Sequence, residues 1–99
     1  ITPVTINDLE LTTRSVPSLV AALGADNVPV ADPWMAGEDF SLFANEVPGF
    51  FYMLGTLAPG TTSGDHHSPT FRADDSAVPV GMRTMAETLW DYLNAAGAR

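Results

Sequence analysis

The chain has 99 residues, 45% of them hydrophobic and 16% charged, with twelve acidic side chains against four basic ones and a formal net charge of −8. That length accommodates one small domain at most. The acidic balance, with arginine as the sole strongly basic residue type, excludes a cationic groove for nucleic acid and any attraction to an anionic membrane surface. Cysteine is absent, so there is no disulfide framework and no thiolate for metal binding or nucleophilic attack. No stretch is long and apolar enough to span a bilayer, no signal peptide is visible, and a cytoplasmic location is the default expectation.

Residues 1–6 alternate β-branched positions and predict a short strand or an extended entry segment, with Pro3 arguing for a sheet edge. Asn7 is expected to cap a helix, with Glu10 at the capping-box spacing. Leu9, Val16, Leu19, Val20 and Leu23 form an apolar stripe at helical spacing. Pro17 predicts a kink or a split, and Gly24 a stop. Residues 28–31 read as a second short edge strand carrying Pro29, and Asp32-Pro33 turns the chain into a loop. Gly37-Glu38-Asp39-Phe40 leads into a shorter helix whose apolar face is Phe40, Phe43, Ala44 and Val47. Glu38 and Asp39 fall at the positive end of that helix dipole, where capping alone would account for them.

Pro48-Gly49 makes a turn, and residues 50–55 follow as a continuous apolar run. Such a run predicts a strand buried on both faces of a sheet covered by helices. Residues 56–70 lack periodicity and hold both histidines, His66 and His67, beside Asp65. A neutral imidazole can give a lone pair to a metal or accept a proton near neutral pH. Two solvated loop histidines are the bland alternative. Asp74 or Asp75 is expected to cap a long last helix with Pro79 in its first turn, Gly97 at its end, and a buried stripe of Val78, Met82, Met85, Leu89, Tyr92 and Leu93. The order strand, helix, strand, helix, strand, helix predicts an α/β fold: a partial α/β/α layer with a small sheet, a buried central strand at 50–55 and three helices. Two short, proline-bearing strands are poor flanks for a buried central strand, so part of the sheet is expected from polypeptide beyond residues 1–99.

Several linked motifs carry a resemblance that covers nearly the whole chain. They are Asn7-Asp8 with Glu10-Leu11-Thr12, Met35-Ala36-Gly37-Glu38-Asp39-Phe40, Val47-Pro48-Gly49-Phe50-Phe51 with Leu54-Gly55, His67-Ser68-Pro69-Thr70-Phe71, and Ala77-Val78-Pro79-Val80-Gly81. In this order they resemble the C-terminal segment of the amidohydrolases related to hippurate hydrolase, N-acyl-amino-acid amidohydrolase and plant indole-acetyl-amino-acid hydrolase. These belong to the aminoacylase and carboxypeptidase-like group of zinc peptidases. The resemblance implies that residues 1–99 are the part of a catalytic domain that follows a smaller lid domain, a lid that often mediates homodimerisation. It implies a centre of two divalent ions, zinc or else manganese, cobalt or nickel, whose last ligand is His67. It implies a substrate cleft lined by Gly37, Glu38 and Asp39, an N-acyl amino acid or small peptide as substrate, and the remainder of the catalytic domain as structural partner. The family's general base, the first acid of an acidic pair, has no counterpart here.

His66 stands where such proteins commonly carry an apolar residue. Adjacent residues rarely aim at one ion, so His66 and Asp65 are read as neighbours of the site or as solvated groups. Two other readings compete with the hydrolase. One is a stand-alone, non-catalytic acidic α/β module that binds a partner. The other is a self-contained metal site made by Asp65, His66, His67 and Asp74.

Overall fold

The computed structural model describes residues 3–34 and 37–97. Ile1 and Thr2 of the expected first strand, and Met35 and Ala36 of the expected loop, lie outside the described residues. The elements in order are α1 (Leu9–Leu23), a single 3-10 turn (Ala25–Asn27), α2 (Phe40–Ala44) and α3 (Ala77–Gly97).

Helix α1 starts one residue later than the capping-box spacing predicts. Asp8 is the N-cap, and its carboxylate accepts from Leu11 N at 2.8 Å. Pro17 lies inside the helix, which continues across it. At the C-terminus Gly24 takes φ 85°, and its amide donates to Val20 O at 2.7 Å. That positive φ is open to glycine at little cost. Helix α3 is entered through Asp74, whose carboxylate accepts from the backbone N–H and the hydroxyl of Ser76. Those two bonds favour the ionised form and hold the Asp74 carboxyl below its ordinary value of 3.8. Pro79 falls in the first turn of α3, where its missing N–H would have no partner anyway.

Helix α1 packs against α3, and small polar residues dominate where they meet. The buried residues of α1 are Ser15, Ser18 and Leu19, and on α3 Ala77 and Thr84 are buried, Thr84 to 1% exposure. Ser18 Oγ donates to Asp91 Oδ2 at 2.6 Å and ties the two helices. This inverts the expected burial of α3. Val78, Met82, Met85, Leu89, Tyr92 and Leu93 are 44–69% exposed. The stripe is amphipathic as expected, but it is not the buried side of α3; of its members Tyr92 meets α1, with the Arg14 guanidinium 5.0 Å over its ring. In α1, Leu9 is 82% exposed and only Leu19 of the expected stripe is fully buried.

The α/β expectation fails: among the described residues there is no strand and no sheet. Residues 50–55 do run without helical or turn structure, and their side chains sort onto different neighbours. Tyr52 reaches α3 through its hydroxyl, 3.1 Å from Thr84 Oγ1. Leu54 sits so close to Gly81 that a Cβ there would come within 2.9 Å of Leu54 Cδ2. Phe51 stacks at 5.4 Å on Phe40 of α2. What is missing is a second extended backbone at the spacing a ladder needs. Within 50–55, Phe51 alone has its backbone hydrogen-bonded among the described residues, and its partner is a side chain. Asn7 Nδ2 donates to Phe51 O and Phe51 N donates to Asn7 Oδ1, both at 2.8 Å. The expected edge segment at 28–31 lies elsewhere, with Val30 99% exposed.

The chain forms a slab of 47 × 34 × 19 Å with a radius of gyration of 15.1 Å, against about 12.6 Å for a compact domain of this length. Its surface is 7910 Å², where a monomer of this mass has roughly 5,400 Å².

Two outcomes check these local anchors. Asn7→Ala removes both bonds to Phe51 and should destabilise the attachment of residues 50–55 by about 1–3 kcal/mol, read as faster hydrogen exchange at the Phe51 amide; unchanged exchange would show that the amide clamp is not what holds this segment. Because the Asp74 carboxyl is held low, its contribution to the α3 start is complete above its ordinary value of 3.8 and lost as pH falls through the lower folded value. The difference in α3 N-terminal amide exchange between the parent and Asp74→Ala should therefore close on acidification below about pH 4.

Candidate functional site

The histidine loop is built from short polar residues bonding to one another. Gly64 N donates to Thr70 O at 3.0 Å and closes residues 64–70 into a ring. Inside it, Ser68 N and Ser68 Oγ both donate to Asp65 O, at 3.2 and 2.7 Å, so 65–68 is a four-residue turn with the two histidines at its centre. Outside it, Ser63 Oγ accepts from Arg72 N at 2.6 Å and donates to Gly64 O at 2.9 Å. His67 takes φ 63° and is the sole non-glycine residue with positive φ among the described residues. That sign is what the third position of a type II turn requires. For a residue with a Cβ it costs roughly 1–2 kcal/mol.

The two histidines part company at the tip. His66 joins an aromatic cluster, with ring centroids 5.3 Å from Phe71 and 5.8 Å from Trp34. Trp34 thereby ties the segment ahead of Gly37 to the histidine loop. His67 lies 6.5 Å from the His66 ring, nearly perpendicular to it. It is exposed, and neither of its ring nitrogens is hydrogen-bonded among the described residues. An exposed imidazole with both nitrogens unengaged, on a turn locked from both sides, fits the role of a single metal ligand. Among the described residues no group of three or more His, Asp or Glu residues is gathered that could hold an ion. Asp65, His66, His67 and Asp74 thus do not form the self-contained site. A tight zinc site needs three or four protein ligands.

Gly37, Glu38 and Asp39 lie on the exposed approach to α2. Glu38 is occupied locally: its Oε1 accepts from Phe40 N at 3.3 Å, and its carbonyl accepts from Ser41 N and from the fully buried Ser41 hydroxyl. Asp39 occupies the N-cap position with no capping bond, so its carboxylate is free of that duty. Helix α2 is a single turn of five residues, too short for its dipole to attract an anion. Neither acid bonds to His66 or His67. The two surface hollows, about 480 and 400 Å³, sit at the α1 start and the 47–48 turn, away from both motifs. The Trp34–His66 contact is the feature sequence reasoning missed, and nothing in the spacing of those two residues signals it.

With this geometry in place, comparison with known proteins is informative. The sequence matches the peptidase family M20/M25/M40 over residues 1–91. The chain belongs to that family. It is 32% identical over 91 residues to IAA-amino acid hydrolase ILR1-like 2 of Arabidopsis thaliana, covering 92% of this chain and 21% of that one. It is 39% identical over 67 residues to N-acetylcysteine deacetylase of Bacillus subtilis, covering 68% and 16%. A putative glutamate–cysteine ligase of Rhodococcus jostii is 30% identical over 83 residues, 84% of this chain and 10% of that protein. The chain thus spans about a fifth or less of the length of the curated relatives it matches. No solved structure matches it. Among its described residues, no helix is long and apolar enough to cross a membrane.

The left-handed backbone at His67 makes a direct test. His67→Gly should leave stability unchanged or raise it by up to about 1 kcal/mol, whereas His67→Val, β-branched and poorly tolerated at positive φ, should lower it by about 1–2 kcal/mol. Denaturant midpoints of the two variants in the opposite order would contradict the turn geometry.

Proposed function

We propose that the chain is the part of an M20-type metal-dependent amidohydrolase catalytic domain that contributes one metal ligand, His67, to a site acting on N-acyl amino acids or small peptides. The observation that carries this reading is the pairing of an unengaged, turn-locked imidazole with family membership over residues 1–91. The names of two relatives, a hydrolase of amino-acid conjugates and a deacetylase of an N-acetyl amino acid, support the reaction class.

His67 would hold one divalent ion through a ring nitrogen, with the remaining ligands and the general base supplied by polypeptide beyond these 99 residues. Two zinc ions, or manganese, cobalt or nickel, suit such a centre. A bound divalent ion supplies polarisation of the scissile amide carbonyl and an acidified water. Asp39, free of capping, and Glu38 would line the cleft beside Gly37. Proton transfer to the leaving amine requires a positioned acid–base group. Glu38, committed to the α2 start, is unsuited to that work.

The surface of the chain supports a larger body over a stand-alone acidic module. Among the described residues, Leu19 and Ala77 are the buried hydrophobic ones, which is not a core. The excess of roughly 2,500 Å² over a compact monomer is of the size that permanent interfaces cover. Arg14 Nη2 and Thr12 Oγ1 are buried without a partner among the described residues, and such groups are costly unless something else satisfies them. The α3 stripe is the natural seat for the rest of the catalytic domain.

In the whole protein, His67→Ala should lower both kcat and bound metal by at least about a hundredfold; full activity with normal metal content would remove His67 from the centre. Asp39→Asn should weaken kcat/KM several-fold, and unchanged turnover would count against a cleft role. The isolated 99 residues should hydrolyse no N-acyl amino acid and should bind an apolar dye strongly, whereas activity of this piece that is lost on chelation would overturn the proposal.

A further inference from the structure

We infer that Gly64, held in a clasp with Ser63, Ser68 and Thr70, is a positioning residue for His67, required for the absence of its side chain and not for an unusual backbone angle. The inference rests on the reading of His67 as a metal ligand and goes beyond it, naming what aims the imidazole. Gly24 and Gly60 have positive φ, at 85° and 78°, but Gly64 does not. Any residue could adopt its backbone. What no other residue could do is fit. A Cβ at position 64 would fall on Thr70 Oγ1, 2.7 Å from Ser68 Oγ and 2.9 Å from the Thr70 carbonyl carbon. Real Cβ atoms do not come that close, and the last of these atoms is backbone, so a side chain at 64 must push the two ends of the loop apart.

Those ends are what fix the turn. The Gly64 N–H to Thr70 O bond closes the ring, Ser68 Oγ lies 3.3 Å from Thr70 Oγ1, and Ser63 Oγ links Gly64 O to Arg72 N. The turn at 65–68 hangs from this closure, and His67 holds its left-handed backbone because the surrounding bonds over-determine it. Opening the base by about an ångström frees the turn to relax toward negative φ, which swings the imidazole away from its present direction. Groups that orient a metal ligand without touching the metal typically matter tenfold to a hundredfold in affinity. Gly55 provides a matched control: it has no positive φ, and a Cβ there meets nothing within 4 Å.

The test uses the whole metal-free protein, titrated with Zn²⁺ against a competing chelator and, separately, loaded with Co²⁺ for its visible absorption spectrum. Gly64→Ala should weaken Zn²⁺ binding by about tenfold to a hundredfold and alter the Co²⁺ bands, with far-ultraviolet circular dichroism unchanged. Gly55→Ala should match the parent in every readout. Gly64→Ala/Thr70→Ala, which removes the worst overlap, should recover part of the lost affinity. Should Gly64→Ala fail to fold, Ser63→Ala decides, because it breaks the clasp without adding an atom; it should weaken Zn²⁺ binding and shift the Co²⁺ bands. Zn²⁺ affinity within twofold of the parent in the folded clasp variants, while His67→Ala loses the metal, would overturn this inference alone. His67→Ala that binds Zn²⁺ as tightly as the parent would overturn the ligand reading and this inference with it.

Discussion

The docking of α1 on α3 through small polar side chains is the constraint on which the rest of the chain depends. Ser15 and Ser18 are buried on α1 and Thr84 on α3, Ser18 bonds to Asp91, and Thr84 meets the Tyr52 hydroxyl. A seam of hydroxyls and a carboxylate contributes little apolar burial of its own, because hydrogen bonds made on folding largely replace bonds to water. Its consequence is geometric. Once the small face of α3 is turned to α1, the opposite face must carry Val78, Met82, Met85, Leu89 and Leu93 outward.

That outward stripe leaves much apolar surface uncovered. A chain that exposes its large apolar side chains and, among the described residues, buries only Leu19 and Ala77 of its hydrophobic ones has its driving force for folding still unspent. The membership in a family whose matched relatives are several times longer agrees with that physical reading. The extended residues 50–55 act as a brace within it, pinned by the Asn7 amide at Phe51, by the Tyr52 hydroxyl at Thr84 and by Leu54 over Gly81. They join the Phe40 turn and Asn7 to the helix pair without being a strand.

The histidine loop follows a different logic. It owes its shape to hydrogen bonds within the ten residues from Ser63 to Arg72 rather than to a core. Such a loop can keep its form while presenting one imidazole outward. The positive φ of His67 is the kind of local cost that persists only where surrounding bonds hold it. Its neighbour His66, likewise exposed, sets its ring against Trp34 and Phe71.

Much of this was legible in the residues alone, wherever the signal is local. Helical spacing and the Gly24 stop marked α1, Pro79 marked the first turn of α3, and the motifs from Gly37 to Phe40 and from His67 to Phe71 marked the family, because capping, proline chemistry and motif order do not depend on distant partners. Neither the state of residues 50–55 nor the buried face of α3 was legible. An apolar run has the same composition whether a second strand lies beside it or a side-chain amide takes the place of one. An amphipathic helix offers two faces, and only contacts with distant segments, Ser18 on Asp91 and Tyr52 on Thr84, select between them. The sequence by itself determined where helices start and stop and which imidazole stands in the family motif. Tertiary structure alone decided which face is covered, that Trp34 reaches His66, and that Gly64 has no room for a side chain, because those outcomes depend on atoms brought together from distant parts of the chain or from opposite ends of a closed loop.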